Sequence, residues 1–366
     1  MFKVALAVLV SLSFITAPMA EAKSRASSSA AKKHLASKGK PKATITLRRN
    51  SDAADAGGRL VKRVTRVKGR RVVVYQRVHS ANSLPVVAPM TAGDHAGLNL
   101  TRDPLDLKSS VAFVLDQKNS EVLFEKNANV ALPIASITKL MTGLIVVQAQ
   151  QDMYEKLTIT DDDVDHEKHT GSRLKVGARM TRGNLLHIAL MSSENRAAAA
   201  LGRNYPGGIN AFVAAMNAKA RELGMNDTHY VDSSGLSSRN VASARDLAKL
   251  AVVAHQEPLL REYTTDAKYV VEAGGRPLQY ANTNYLVAMP DWNIGLQKTG
   301  FINEAGRCLV MQAMIQGRAV IMVFLDSKGK QSRTADAGRM RRWLEALKPA
   351  DVSLTQSVMP VAAPTQ

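Results

Sequence analysis

Positive charge is segregated along this chain, and the segregation divides what can fold from what cannot. Residues 23–90 carry 17 Lys or Arg against only Asp52 and Asp55, whereas residues 91–366 carry 31 Lys or Arg against 28 Asp or Glu. The formal net charge of +18 therefore belongs to an N-terminal arm, and any argument from charge to partners concerns that arm. Residues 23–58 are rich in Ala, Ser, Lys and Gly, with too little apolar surface to offset the entropy of ordering. Residues 59–79 differ, because Val alternates with Arg and Lys there. Val72, Val74 and Val78 have strand spacing, and Lys68-Gly69 suits a hairpin turn. Two readings of the arm stand side by side: adhesion to an anionic polymer or lipid head groups, and a solvated tether.

The leader is a separate object. Lys3, the apolar run Val4–Ile15 and the small residues Ala20 and Ala22 predict a secretory signal peptide over 1–22, cleaved before Lys23. The apolar run is short for a bilayer span of about 20 residues. Export makes nucleic acid an unexpected partner. A single cysteine, Cys308, excludes an internal disulfide and any cysteine-based zinc module. An exported domain of this size can bury enough core without disulfides. The organisation expected is thus signal peptide 1–22, basic arm and linker 23–100, one enzyme-sized domain 101–348 and a tail 349–366.

The body alternates regularly. Val111–Leu115 and Glu121–Phe124 around Asp116–Asn119 predict a β-hairpin. Ile137, Leu140, Met141, Leu144 and Val147 share a helical face within 134–150. Helical runs over 185–202 are broken by Ser192-Ser193-Glu194-Asn195. Further helices are predicted at 209–223, with Gly224 beyond the end, at 245–255 and at 333–347. Strands are predicted at 292–298, 307–315 and 319–325. The order implies an α/β (α+β) fold: an antiparallel sheet assembled from both ends of the body, flanked by helices, with a mostly helical subdomain inserted.

Three short motifs carry chemistry. Ser136-Ile-Thr-Lys139 places a hydroxyl and an amine on one helical face, where a partly buried neutral lysine can serve as the base a serine nucleophile needs. Ser193-Glu194-Asn195 interrupts an apolar helical run with side chains that must find partners in a cleft or loop. Lys298-Thr299-Gly300 ends an apolar strand, and the glycine lets another backbone lie close. Singly each is common and fits an ordinary helix start, loop or strand end.

In this order the three form the signature of active-site-serine penicillin-binding proteins and β-lactamases, which this sequence resembles. Ala135–Thr142, Ser172–Gly177 with Asn184–Asn195, Leu223–Thr228 with Ser234-Gly-Leu236, and Gln297–Gly306 with Cys308-Leu-Val are similar to the low-molecular-weight D-alanyl-D-alanine peptidases of family S11. The last segment looks most like their endopeptidase branch, the penicillin-binding protein 7 type. The resemblance covers about residues 105–346 and leaves out the basic arm.

The resemblance implies a penicillin-binding protein/β-lactamase-like fold and a D-alanyl-D-alanine endopeptidase. It also implies residue roles. Ser136 is the nucleophile, Lys139 its base, and Ser193 a proton relay. Asn195, Lys298, Thr299, Gly300 and Phe301 are substrate-binding residues. It implies peptidoglycan stem peptides as substrate, β-lactams as covalent inhibitors, a periplasmic location, and no cofactor or metal. Carboxypeptidase action on a terminal D-Ala is the first alternative. A non-catalytic wall-binding protein is a remote one. So is a class A type β-lactamase, suggested by Glu222-Leu-Gly-Met-Asn226. Asp165-His166-Glu167-Lys168-His169 looks like a metal cluster by composition but is expected to be an acidic surface loop.

Overall fold

The computed structural model describes residues 59–67, 70–78 and 89–347. The leader, residues 23–58 and the tail lie outside the described residues. The chain divides into two units, 1–84 and 85–366.

In the first unit, β1 (Arg59–Val67) pairs antiparallel with β2 (Arg70–Val78), with Val67 opposite Arg70. The expected turn residues 68 and 69 lie outside the described residues. Val64 and Val73 face each other across the ladder and are both exposed. A two-stranded ribbon of this kind has no second layer of its own.

The second unit begins earlier than the expected linker boundary. Residues 91–100 form α1 (Ala92–His95) and a 3₁₀ turn at Leu98–Leu100. A capping box between Thr91 and Asp94 starts α1, and Ala92 N–H donates to the Glu304 carbonyl at 2.8 Å. The strands that follow are β3 (Ser109–Asp116), β4 (Val122–Lys126) and the two-residue β5 (Leu132–Pro133). Next come α2 (Thr138–Gln148), β6 (Lys156–Thr158) and β7 (Arg179–Thr181). The helices α3 (Arg182–Met191), α4 (Asn195–Arg203) and α5 (Gly208–Glu222) complete the helical insertion. Then β8 (Val241–Ala242), α6 (Ala244–Ala254) and α7 (Pro258–Thr265) lead to the hairpin β9 (Lys268–Glu272) and β10 (Pro277–Ala281). The chain closes with β11 (Asn293–Ile302), β12 (Gly306–Ile315), β13 (Arg318–Ser327) and α8 (Ser332–Ala346).

The main sheet has the order β11-β12-β13-β3-β4 and is antiparallel throughout. It joins the two ends of the body, as the sequence order implies. Its strands read as continuous apolar runs because both faces are covered. Val111, Phe113, Val310 and Val323 join the core shared with the helical insertion. Ala112, Val114, Met311, Met322 and Phe324 pack with Ala337, Met340 and Leu344 of α8. This alternation is the period-two signature of a strand between two layers. Because β11 is an edge strand, one of its sides is left open toward the helical insertion.

Candidate active site

Ser136 sits in a single 3₁₀ turn, Ala135–Ile137, that runs directly into α2, so Lys139 occupies the helix's first turn. Ala135 holds a left-handed backbone at φ 49°, a strained conformation for a residue with a Cβ. Lys139 is fully buried, yet among the described residues its Nζ has no carboxylate partner. It lies 2.8 Å from Ser136 Oγ, 2.8 Å from Asn195 Oδ1 and 2.6 Å from the Ser234 carbonyl. Asn195 Oδ1 and the carbonyl can only accept. A neutral amine has two protons, which those two acceptors consume. Its lone pair then faces Ser136.

Burial is what favours the neutral form. It drives Lys139 from its usual range down to about 7, against the pull of Asp232 and Glu194. Desolvation is the main cause. Lys298 is itself held well below the usual lysine range, first by its own burial, then by Lys139 and Arg333. Three basic side chains meet here, and burial disfavours charging Lys139 and Lys298 together.

The carbonyl under Lys139 is placed by the turn that contains Ser234-Gly-Leu236. The Asp232 carboxylate accepts the N–H groups of Ser234, Gly235 and Ser237, at 2.6–3.0 Å, together with the Ser234 hydroxyl. Gly235 has φ +80°, and a Cβ there would lie 2.0 Å from the Ala135 carbonyl oxygen. Only glycine lets this turn lie against the serine turn.

Ser193 lies between α3 and α4 with φ 60°, and Glu194 caps α4. Lys298 Nζ donates to Ser193 Oγ at 2.9 Å and to the Thr299 carbonyl at 2.9 Å. The structure thus forms two hydrogen-bonded groups, Ser136–Lys139–Asn195 and Ser193–Lys298, near enough for Lys139 and Lys298 to influence each other. Gly300 lies flush with the serine turn: a Cβ would meet the Ile134 carbonyl at 2.8 Å and Ser136 N at 3.2 Å. Thr299 Oγ1 is 2.6 Å from Thr283 Oγ1, and Arg333 Nη1 donates to the Gly300 carbonyl at 2.7 Å. Phe301 is half-exposed, with the Arg307 guanidinium 4.6 Å from its ring centre. Thr283, Arg333 and Asp232 lie outside the segments that carry the resemblance, and Ser234 lies in one without an assigned role; each reaches the site from a distant segment.

Two sequence decoys have other roles. Glu222 is exposed and pairs with Lys219 at the end of α5. Asp165–His169 lies in a loop where Asp165 bonds to its own loop's N–H groups, and no metal-holding cluster is present among the described residues.

A buried lysine poised on a serine, beside a second serine hydroxyl and a glycine-ended strand, defines a serine acyl-transfer site on a two-subdomain α/β scaffold. Comparison with known proteins agrees with that class. The structure of the Streptomyces K15 DD-transpeptidase superposes with a TM-score of 0.62 at 26% identity, over 68% of this chain and 100% of that one. A D-alanyl-D-alanine endopeptidase of Pseudomonas aeruginosa is 47% identical over 72% of this chain and 85% of its own length. A D-alanyl-D-alanine endopeptidase of Escherichia coli is 40% identical over 75% and 86%. The family described as D-alanyl-D-alanine carboxypeptidase, peptidase S11, matches residues 99–329, and this chain belongs to it.

Proposed function

We propose that this chain is a serine D-alanyl-D-alanine endopeptidase that hydrolyses D-Ala-containing cross-links of peptidoglycan and is acylated by β-lactams. The observation that carries the reading is Lys139 Nζ at 2.8 Å from Ser136 Oγ, in a buried cradle without a carboxylate. Ser136 Oγ attacks the D-Ala carbonyl, and its proton passes to Lys139. The C–N bond breaks as Ser193 relays a proton to the leaving amine, and water then hydrolyses the ester. The oxyanion lies between the backbone N–H groups of Ser136 and Phe301, where one donor is worth roughly 100–1,000-fold in rate. Asn195 orients the substrate amide and Lys139. Lys298 and Thr299 hold a substrate carboxylate, and Gly300 admits the substrate backbone. No cofactor takes part in these steps.

Preference for the cross-link over the terminal D-Ala is supported by the names of the relatives at 47% and 40% identity. The test is product analysis on a cross-linked muropeptide dimer and a pentapeptide monomer. Dimer cleavage that is lost in Ser136→Ala is the expected result. Release of terminal D-Ala without dimer cleavage would make the enzyme a carboxypeptidase.

The leader directs export, and the periplasm is the compartment this function requires. No helix among the described residues is long and apolar enough to cross a membrane. The basic arm, including the β1–β2 ribbon, holds the enzyme to anionic wall or lipid material. Retention on isolated walls or anionic vesicles should fall with rising salt and on deletion of 23–90. Equal retention after the deletion would leave the arm a tether.

A further inference from the structure

The loop between β6 and β7 contains the segment whose acidic and histidine residues suggest a metal in sequence. In the structure it reaches Asn195 through Thr170. Asp165 Oδ1 accepts the N–H groups of Glu167 and Lys168 at 2.9 and 2.8 Å. Asp165 Oδ2 accepts the Thr170 N–H at 2.8 Å and lies 2.6 Å from the Thr170 hydroxyl. Thr170 Oγ1 is in turn 2.9 Å from Asn195 Nδ2. Lys168 Nζ spans to Glu304 Oε1 at 2.6 Å, which ties the loop to the β11–β12 turn on the opposite wall.

The direction of every proton in this chain follows from its end. Partial burial raises the Asp165 carboxyl, but the hydrogen bonds from Lys168, Thr170 and Glu167 outweigh it and hold the group below the usual carboxylate range. An ionised carboxylate only accepts. The Thr170 hydroxyl must therefore donate to Asp165, which leaves its lone pairs for Asn195 and requires the Asn195 NH₂ on that side. The Asn195 carbonyl is then forced toward Lys139. Were the amide reversed, its NH₂ would donate to the Lys139 lone pair and occupy the electrons that take the serine proton.

We propose that Asp165 and Thr170 are positioning residues: they fix the direction of the Asn195 amide and, through it, aim the Lys139 lone pair at Ser136. This rests on the reading of Ser136 and Lys139 as nucleophile and base. It adds to that reading an outer anchor on a loop outside all three sequence motifs.

The test is the second-order rate of Ser136 acylation by a fluorescent penicillin, followed from pH 5 to 10 in the full mature chain. Thr170→Val removes the hydroxyl at near-constant volume, and Thr170→Ser restores it. The charged and titratable groups around Lys139 are Asp232, Glu194 and Lys298, and all are unchanged in both variants. Thr170→Val should lower the high-pH plateau roughly threefold to tenfold, the scale of one neutral hydrogen bond. Its acid limb should move to lower pH, because an NH₂ turned toward Lys139 disfavours the ammonium. Thr170→Ser should restore plateau and limb to within about twofold. A purely structural role would lower the melting temperature without moving the limb.

Parent-like acylation and limb in Thr170→Val, or equal impairment in Thr170→Ser, would overturn the proposal. A parent that labels at Ser136 but cleaves no cross-link would count against the endopeptidase reading alone, since labelling reports acylation without turnover. A parent that fails to label would overturn both.

Discussion

Lys126 at the end of β4 and Lys139 at the start of α2 are both interior, at 7% and 0% exposure, but they are solvated by different groups. Lys126 Nζ meets Asp103 Oδ2 at 2.9 Å and the Ser109 carbonyl at 3.0 Å. That carboxylate also accepts the N–H groups of Leu105 and Leu107, so the pair stitches the N-terminal segment to the sheet. Lys139 meets only neutral oxygens, one of them the serine hydroxyl. A buried cation with a buried anion fixes structure, while a buried amine among neutral acceptors gives up its proton and becomes reactive. Asp326 marks the limit of that rule. Burial raises its carboxyl and Asp94 adds to the effect, against the pull of the Ser110 and Thr91 hydroxyls and Lys328. It packs on the backbones of Gly93 and Gly306. A shifted group marks a site only where a base that can shed its proton faces a nucleophile beside an open strand edge.

The contrast can be broken by removing each lysine in turn. The largest effect expected is on chemistry. Lys139→Met should slow Ser136 acylation by about 100–10,000-fold, the usual range for a general base. Stability at neutral pH should be unchanged or higher, since the buried amine has no opposite charge to offset its desolvation cost. Lys126→Met should do the opposite. It leaves Asp103 buried without its cation, at a cost of about 3–5 kcal/mol in denaturant unfolding. Acylation per folded molecule should remain as in the parent. Stability loss confined to Lys139→Met, or acylation loss confined to Lys126→Met, would invert the assignment.

The smallest effect is a slope. Lys139 is near 7 when folded and about 10.4 in an unfolded chain, so between those values only the unfolded chain holds the proton. Lys139 therefore makes stability rise with pH across that window, and Lys139→Met should remove the rise.

Legibility in the sequence followed the range of the interaction. The five-stranded sheet was readable because apolar runs such as Val111–Leu115 and Ala319–Leu325 have strand length and turn residues at their ends. The helices around Ser136, Ser193 and the C-terminal end were readable from period and from polar interruptions. Helix α7 was missed, since Pro258 and the charged Arg261 and Glu262 hide a short, half-buried face. The β9–β10 hairpin was missed for a similar reason: only Val271 and Tyr280 of its strands are buried. At the site, Ser136, Lys139, Ser193, Asn195 and Lys298 sit in motifs that can be read locally. The Ser234 carbonyl, Thr170, Thr283 and Arg333 arrive through tertiary convergence, and a backbone carbonyl has no residue type to betray it. The desolvation that lowers Lys139 is likewise a property of the assembled core, not of the tetrad in which it lies.

The central claim is that Lys139 works as a neutral base because the fold buries it among acceptors. The most direct test is the pH dependence of Ser136 acylation in the parent enzyme. The account requires the rate to rise with pH through an apparent pKa near 7 and to level off above it. A rate still climbing toward the ordinary lysine range near 10, or one indifferent to pH from 5 to 9, would contradict it.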